Sequence, residues 1–189
     1  MTVSHGTQKT HPFKVCLSKS TTLISFLPTL LYGAESWVTY QRHIRLLERF
    51  HQRCLRSILK IQWQDYVTNN EVLERANVNS IEAHILKSQL RWIGHVSRMD
   101  DHRLPKIALF GELSSGHRNV GAPKKRYKDG IKKSLSLCGI DHRHWRAQAA
   151  DRNGWRHRIH QSVSTFESNQ REQREVKRQR RKNPAQIDP

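Results

Sequence analysis

Residues 37–61 restrict the fold more than any other stretch of the chain. At about 100° per residue, Arg42, Arg45, Arg49, Arg53, Arg56 and Lys60 fall within roughly 60° of one line, and Ile44, Leu47, Phe50, Cys54, Leu55, Ile58 and Ile61 fall opposite. This spacing predicts one long amphipathic helix, with Ser36 as its cap. Such a helix needs a surface on which to bury its apolar side, so the expected class is mainly α, a small helical bundle. Glu48 is the one acid inside the predicted helix, and i,i+4 pairing cannot neutralise six cations. The basic stripe therefore reads as a surface for tracking phosphates; a solvated outer face is the plainer alternative.

The rest of the chain supports a polyanionic partner. Of 189 residues, 34 are Lys or Arg and 16 Asp or Glu, giving a net charge of +18. That excess repels itself unless a polyanion is near. Residues 66–104 stand apart, with five acids against five bases, and are expected to pack rather than bind. Thr68 and Glu71 form a capping box opening a short helix over 71–76, with Val72, Leu73 and Ala76 apolar. Asn79, with Glu82 three residues on, is the expected cap of a further helix running to Met99. Ile81, Ile85, Ile93 and Val96 give that helix its core stripe, and Lys87 and Arg91 point elsewhere. A helix-turn-helix and a plain helical hairpin share this outline, and the hairpin is the commoner.

Leu104 and Pro105 are expected to end that helix, followed by a short extended piece over 107–113. A Gly-rich loop over 116–123, carrying Arg118, then leads into Lys124, Lys125, Arg126 and Lys128 around Tyr127. Lys132 and Lys133 follow on a helix with Ile131 and Leu135 inward. Basic residues around an aromatic can clamp a backbone and stack on a base. Tyr127 reads equally well as the first core residue of its helix. Asp141 is the expected cap of a helix carrying Trp145 and Ala149, and Asp151 of one carrying Trp155 and Ile159. From residue 166 the composition turns polar and basic, as in a lone solvated helix or a flexible tail. Its Lys177, Arg178, Arg180, Arg181 and Lys182 are a candidate nuclear-localisation cluster.

Several classes are disfavoured. Cys16, Cys54 and Cys138 form no C-x-x-C pair, and no histidines complete a finger spacing, so no metal or other cofactor is expected. The longest apolar run, residues 23–32, is ten residues broken by Pro28, against about 20 for a bilayer span. It has the length of a signal-peptide core, but Tyr32 is too large for the position before a cut after Ala34. Location in the nucleus or cytoplasm is expected, with neither a membrane nor a small-molecule substrate as partner. Arg98-Met99-Asp100-Asp101 imitates the Y-x-D-D hairpin of reverse transcriptases. The tyrosine is replaced by Arg98 and a helix precedes, so an acidic turn is expected and no catalytic residue.

Leu27-Pro-Thr-Leu-Leu-Tyr-Gly-Ala-Glu-Ser-Trp37 resembles the segment after the catalytic palm in LINE-type (non-LTR) retrotransposon polyproteins of the jockey/RTE kind. Phe50-His-Gln-Arg-Cys-Leu-Arg56, Thr68-Asn-Asn-Glu-Val-Leu73 and Gln89-Leu-Arg-Trp-Ile-Gly-His-Val96 are similar to the same region, in the same order. So are Arg103-Leu-Pro-Lys106, Phe110-Gly-Glu-Leu113, Arg126-Tyr-Lys-Asp129 and Asp151-Arg-Asn-Gly-Trp-Arg156. The resemblance covers residues 23–182 and implies a thumb-like bundle that grips template RNA and target DNA beside a polymerase palm. It divides the chain into an unmatched leader (1–21), a helical region (22–165) and a basic tail (166–189). The endonuclease and the palm aspartates of that family have no counterpart here, so RNA-directed DNA polymerase activity is not expected of this chain.

The function expected from sequence is non-catalytic, mostly nonspecific binding of RNA or DNA backbones. Arg42, Arg45, Arg49, Arg53, Arg56 and Lys60 would form one contact row. Arg118, Lys124, Lys125, Arg126, Tyr127, Lys128, Lys132 and Lys133 would form a second. Two alternatives stand beside it: a decayed retroelement reading frame with no selected function, and an accessory part of a polymerase active only when joined to its palm.

Overall fold

Ile81, Ile85, Leu86, Leu90, Ile93 and Val96 are all buried, which makes the helix that carries them the axis of the molecule. The computed structural model describes residues 26–111 and 125–183. In chain order the helices are α1 (Gln41–Leu59), α2 (Asn69–Ala76), α3 (Ile81–Ser97), α4 (Leu104–Phe110), α5 (Tyr127–Leu137), α6 (Trp145–Ala150) and α7 (Arg152–Lys182). A helical stretch over 26–30 and two 3-10 turns, Ala34–Ser36 and Trp63–Asp65, complete them; there is no strand among the described residues. The mainly α small bundle is thus the observed architecture. The expected core stripe of α3 is buried as a unit, and α3 packs on α1, α4, α5, α6 and α7.

Three apolar clusters surround that axis. The largest joins α3 to α5, α6 and α7 through Leu90, Ile93, Leu135, Trp145, Trp155 and Ile159. A second gathers Leu27, Ala34 and Ile44 on Ile81 and Ile85, and a third closes α1 on α2 through Leu55, Val72 and Leu73. Buried polar groups bridge them. Gln89 donates to the Trp37 carbonyl at 3.0 Å and accepts from the Ser134 hydroxyl at 3.0 Å, tying α3 to α5 and to the chain before α1. The Trp155 indole donates to the Leu90 carbonyl at 3.0 Å, so α7 sits directly against the α3 backbone. Gly94 makes that approach possible, since a Cβ there would overlap the indole.

Several local expectations shift. α1 begins at Gln41, four residues later than a cap at Ser36 requires; the Ser36 hydroxyl instead donates to the Gly33 carbonyl, closing a 3-10 turn. The Thr68–Glu71 capping box is present, with Glu71 N donating to Thr68 Oγ1 and Thr68 N to Glu71 Oε2. Ser80, rather than Asn79, caps α3 by accepting from Ala83 N. The extended piece expected over 107–113 is helix α4 as far as Phe110. Pro105 lies in its first turn, where its missing N–H costs no hydrogen bond. Asp141 closes a turn ahead of α6 by accepting from Arg143 N and pairing with His144, while Asp151 caps α7 directly. α7 runs unbroken through residue 166 to Lys182, so the stretch read as a lone solvated helix or a flexible tail is helical as far as Lys182 and continuous with the packed helix before it. The Gly-rich loop with Arg118 and Lys124, the leader 1–21 and the last six residues lie outside the described residues.

Gly94→Ala should separate α3 from α7. A loss of about 1–3 kcal/mol is expected from overpacking at a rigid indole, read as a lowered midpoint in urea unfolding. An unchanged midpoint would mean that the indole is not held against α3.

Candidate nucleic-acid interface

The first turn of α3 fixes the geometry of the basic surface. Ser80 Oγ donates to Glu167 Oε2 of α7 at 2.5 Å, and Ile81 N donates to Glu48 Oε2 of α1 at 2.9 Å. Both carboxylates sit at the positive end of the α3 dipole, where negative charge is stabilised. Glu167 is buried and accepts from Arg171 Nε at 3.2 Å; Arg171 also lies 3.6 Å from Glu74 of α2. Burial raises the Glu48 carboxyl above its ordinary value, opposed by the Ile81 hydrogen bond and the Arg174 charge. α1 and α7 are therefore pinned to the same end of α3, with their polar sides facing across a gap.

That gap is a groove of about 810 Å3. Arg45, Arg49 and Arg53 of the expected stripe line one wall, and Arg174 and Lys177 of α7 line the other. Arg45, Arg49 and Arg53 are exposed, and none has a carboxylate partner among the described residues. Glu48 and Glu82 are the acids of the lining, and both are occupied, Glu82 by Gln41 Nε2 at 3.1 Å. The pairing of α1 with the C-terminal half of α7 is invisible in the sequence, because it depends on where Glu48 and Glu167 anchor.

The other expected contact residues divide. Arg56 serves the fold, donating to the Val67 carbonyl at 2.8 Å and to Asn69 Oδ1 at 2.9 Å. Arg42 donates to the His43 ring, and Lys60 ends α1 with a left-handed backbone, φ 55°. Lys125 donates to the Thr39 carbonyl and, through its backbone N–H, to the Tyr40 hydroxyl; Arg126 pairs with Asp129 at 3.2 Å. Tyr127 packs edge-on against Trp92 with ring centroids 5.6 Å apart and donates to the Glu35 carbonyl, and burial raises its hydroxyl pKa. It takes the core position of its helix rather than standing ready to stack on a base. Lys128 has an interaction of its own, and Lys132 and Lys133 are exposed on α5. Of the candidate localisation cluster, Lys177 faces the groove and Arg178 pairs with Glu175, while Arg180, Arg181 and Lys182 are exposed at the end of α7. Asp101 pairs with Lys106 at 2.8 Å in the acidic turn after α3.

The buried side of α1 is more polar than its apolar pattern implies. His51 and Gln52 are buried beside Ile44 and Leu55, while Phe50 is half exposed and rests on Phe26, ring centroids 5.7 Å apart. Turning Glu48 toward α3 rotates α1 this way. Neither ring nitrogen of His51 has a hydrogen-bond partner, and its pKa is lowered to about 4 by burial and then by the nearby His84. His84 is lowered too, by burial and by Lys87.

No family model, curated protein or solved structure matches the chain. The expected retrotransposon, LINE and reverse-transcriptase labels are corrected accordingly. No match supports the family likeness of the eight short blocks. No described helix is long and apolar enough to cross a membrane, and no cluster of three metal-ligating side chains occurs among the described residues.

The buried histidine gives a signed pH dependence. A folded pKa near 4 against 6.5 unfolded means that the neutral ring is favoured by folding. Its contribution is complete above pH 6.5 and is lost as pH falls through about 4, at about 1.4 kcal/mol per unit. Unfolding free energy should fall by about 3 kcal/mol over that window, and His51→Leu should flatten the fall. An equal fall in both proteins would remove His51 from the account.

Proposed function

We propose that the α1/α7 groove binds the phosphate backbone of an extended nucleic-acid strand without reading its bases. The supporting observation is the placement of Arg45, Arg49 and Arg53 opposite Arg174 and Lys177 across one groove, with its two acids engaged. Guanidinium forks match phosphate oxygens in geometry and charge. Arg45 to Arg53 extends about 12 Å along α1, enough for a short run of phosphates. Nothing in the lining offers a free aromatic face, so base stacking has no part in this reading.

Counterion release gives the test. Binding of fluorescein-labelled oligouridylate, followed by anisotropy, should weaken steeply with salt, log K falling by about 0.7 per neutralised phosphate on a log salt axis. Arg49→Glu with Arg53→Glu should weaken binding by at least about tenfold and flatten that slope. Binding unchanged between 50 and 300 mM salt would overturn the proposal. Oligothymidylate in parallel reads the preference for RNA or DNA.

A second reading is a decayed reading frame whose product has no selected function. The lack of a family match supports it over the first. So do Tyr32, Trp63, Tyr66 and Leu104, large apolar side chains each more than three-quarters exposed. Such surfaces invite aggregation. Soluble monomer with one cooperative thermal transition would count against this reading; aggregation on purification would count for it.

A further inference from the structure

A second row of cations lies on α3, in the segment whose net charge is zero. Lys87, Arg91 and Arg98 follow one side of the helix with His84 and His95 between and before them, and Arg152 and Arg156 face them from the first turns of α7. Together they line a cleft of about 570 Å3, within the range of small-ligand sites. Glu35 is the one acid in the lining. Lys87, Arg91, Arg152 and Arg156 make no ion pair with any described residue. Arg98 is held in place by donating to the Ala149 carbonyl, which leaves its other N–H groups for a ligand.

This arrangement is unfavourable when empty. Five cations face one another across a short gap, and Arg152 and Arg156 stand at the positive end of a 31-residue helix, where cations are disfavoured. The backbone on both walls is rigid, because the Trp155 indole is bonded to Leu90 and seated on Gly94. The side chains cannot relax by drawing the helices apart. Water and salt screen part of the repulsion at these largely exposed side chains, and a concentrated negative charge bound between them relieves it further.

We propose that the α3/α7 cleft is an anion site for a compact polyphosphate group, the chemistry shared by inorganic tripolyphosphate and a nucleoside triphosphate. Five cations against Glu35 leave an excess of about four charges, matching a triphosphate near neutral pH. The Ser88 hydroxyl adds a donor on the α3 wall. Trp92 and Trp155 border the cleft but are committed to Tyr127 and Leu90, so the site reads phosphate rather than an aromatic ring. The site is separate from the α1/α7 groove and stands whether or not that groove binds nucleic acid.

Isothermal titration of the full chain at low salt, first with tripolyphosphate and then with sulfate, tests it. Saturable tripolyphosphate binding is expected, with sulfate at least about tenfold weaker because one charge centre cannot span both walls. Arg91→Ala with Arg156→Ala should weaken tripolyphosphate binding by at least about tenfold, and Lys87→Ala, a milder change, should weaken it in the same direction. Arg49→Glu with Arg53→Glu in the groove should leave it within about twofold. ATP binding as tightly as tripolyphosphate assigns the site to the phosphate chain alone; tighter ATP binding adds the nucleoside. Either upholds the polyphosphate chemistry. Absence of saturable binding, equal affinity for sulfate, or equal loss from the groove variants would overturn it, as would an oligouridylate that displaces tripolyphosphate at equal phosphate concentration.

Discussion

Two carboxylates from different helices meet the first turn of α3, and the basic surface depends on that meeting. Glu48 accepts from Ile81 N, and Glu167 accepts from the Ser80 hydroxyl. Glu48 satisfies the Ile81 N–H, and Glu167 the Ser80 hydroxyl and, at 3.4 Å, the Ser80 N–H, at a buried helix end where an unmade hydrogen bond costs about 1–3 kcal/mol. Each also anchors its own helix, so one end of α3 sets the positions of α1 and α7 together. Arg171 extends the clamp from Glu167 to Glu74 on α2. The apolar clusters supply most of the stability, but they are not directional. The carboxylates choose which sides of α1 and α7 face each other.

The same clamp explains how a chain with +18 net charge keeps its cations in rows. Its acids are largely committed to structure: Glu48 and Glu167 at α3, Glu71 and Asp151 at caps, and Asp101 with Lys106. Few remain to neutralise the arginines of α1, α3 and α7. α7 carries Arg152 and Arg156 at one end and Arg174 and Lys177 toward the other, and so contributes a wall to both concavities.

Much of the architecture was legible because it rests on periodicity. The core stripe of α3, the Thr68–Glu71 capping box, and the inward Ile131, Leu135, Trp155 and Ile159 follow from spacing alone. The α1 stripe was legible as a row, though Arg56 proved to be bonded within the fold. What escaped the sequence was tertiary. Segment charge is a sum, and the balance of residues 66–104 concealed Lys87, Arg91 and Arg98 on one side of α3 with the acids placed elsewhere. The half-buried Glu48 and the buried His51 contradict the binary pattern of α1 and follow from the partner at Ile81. The lone acid among six bases was the one local sign of that role.

The central claim is that the basic residues of α1 and α7 act as one groove. Arginine and lysine protection footprinting on the full chain, with and without oligouridylate, tests it most directly. Modification by phenylglyoxal and by an acylating reagent is read residue by residue by mass spectrometry. Arg45, Arg49, Arg53, Arg174 and Lys177 should become protected together at one oligonucleotide concentration, while Arg143 and Lys132, exposed elsewhere on the surface, stay reactive. Protection spread evenly over all exposed cations, or confined to one of the two helices, would contradict the account.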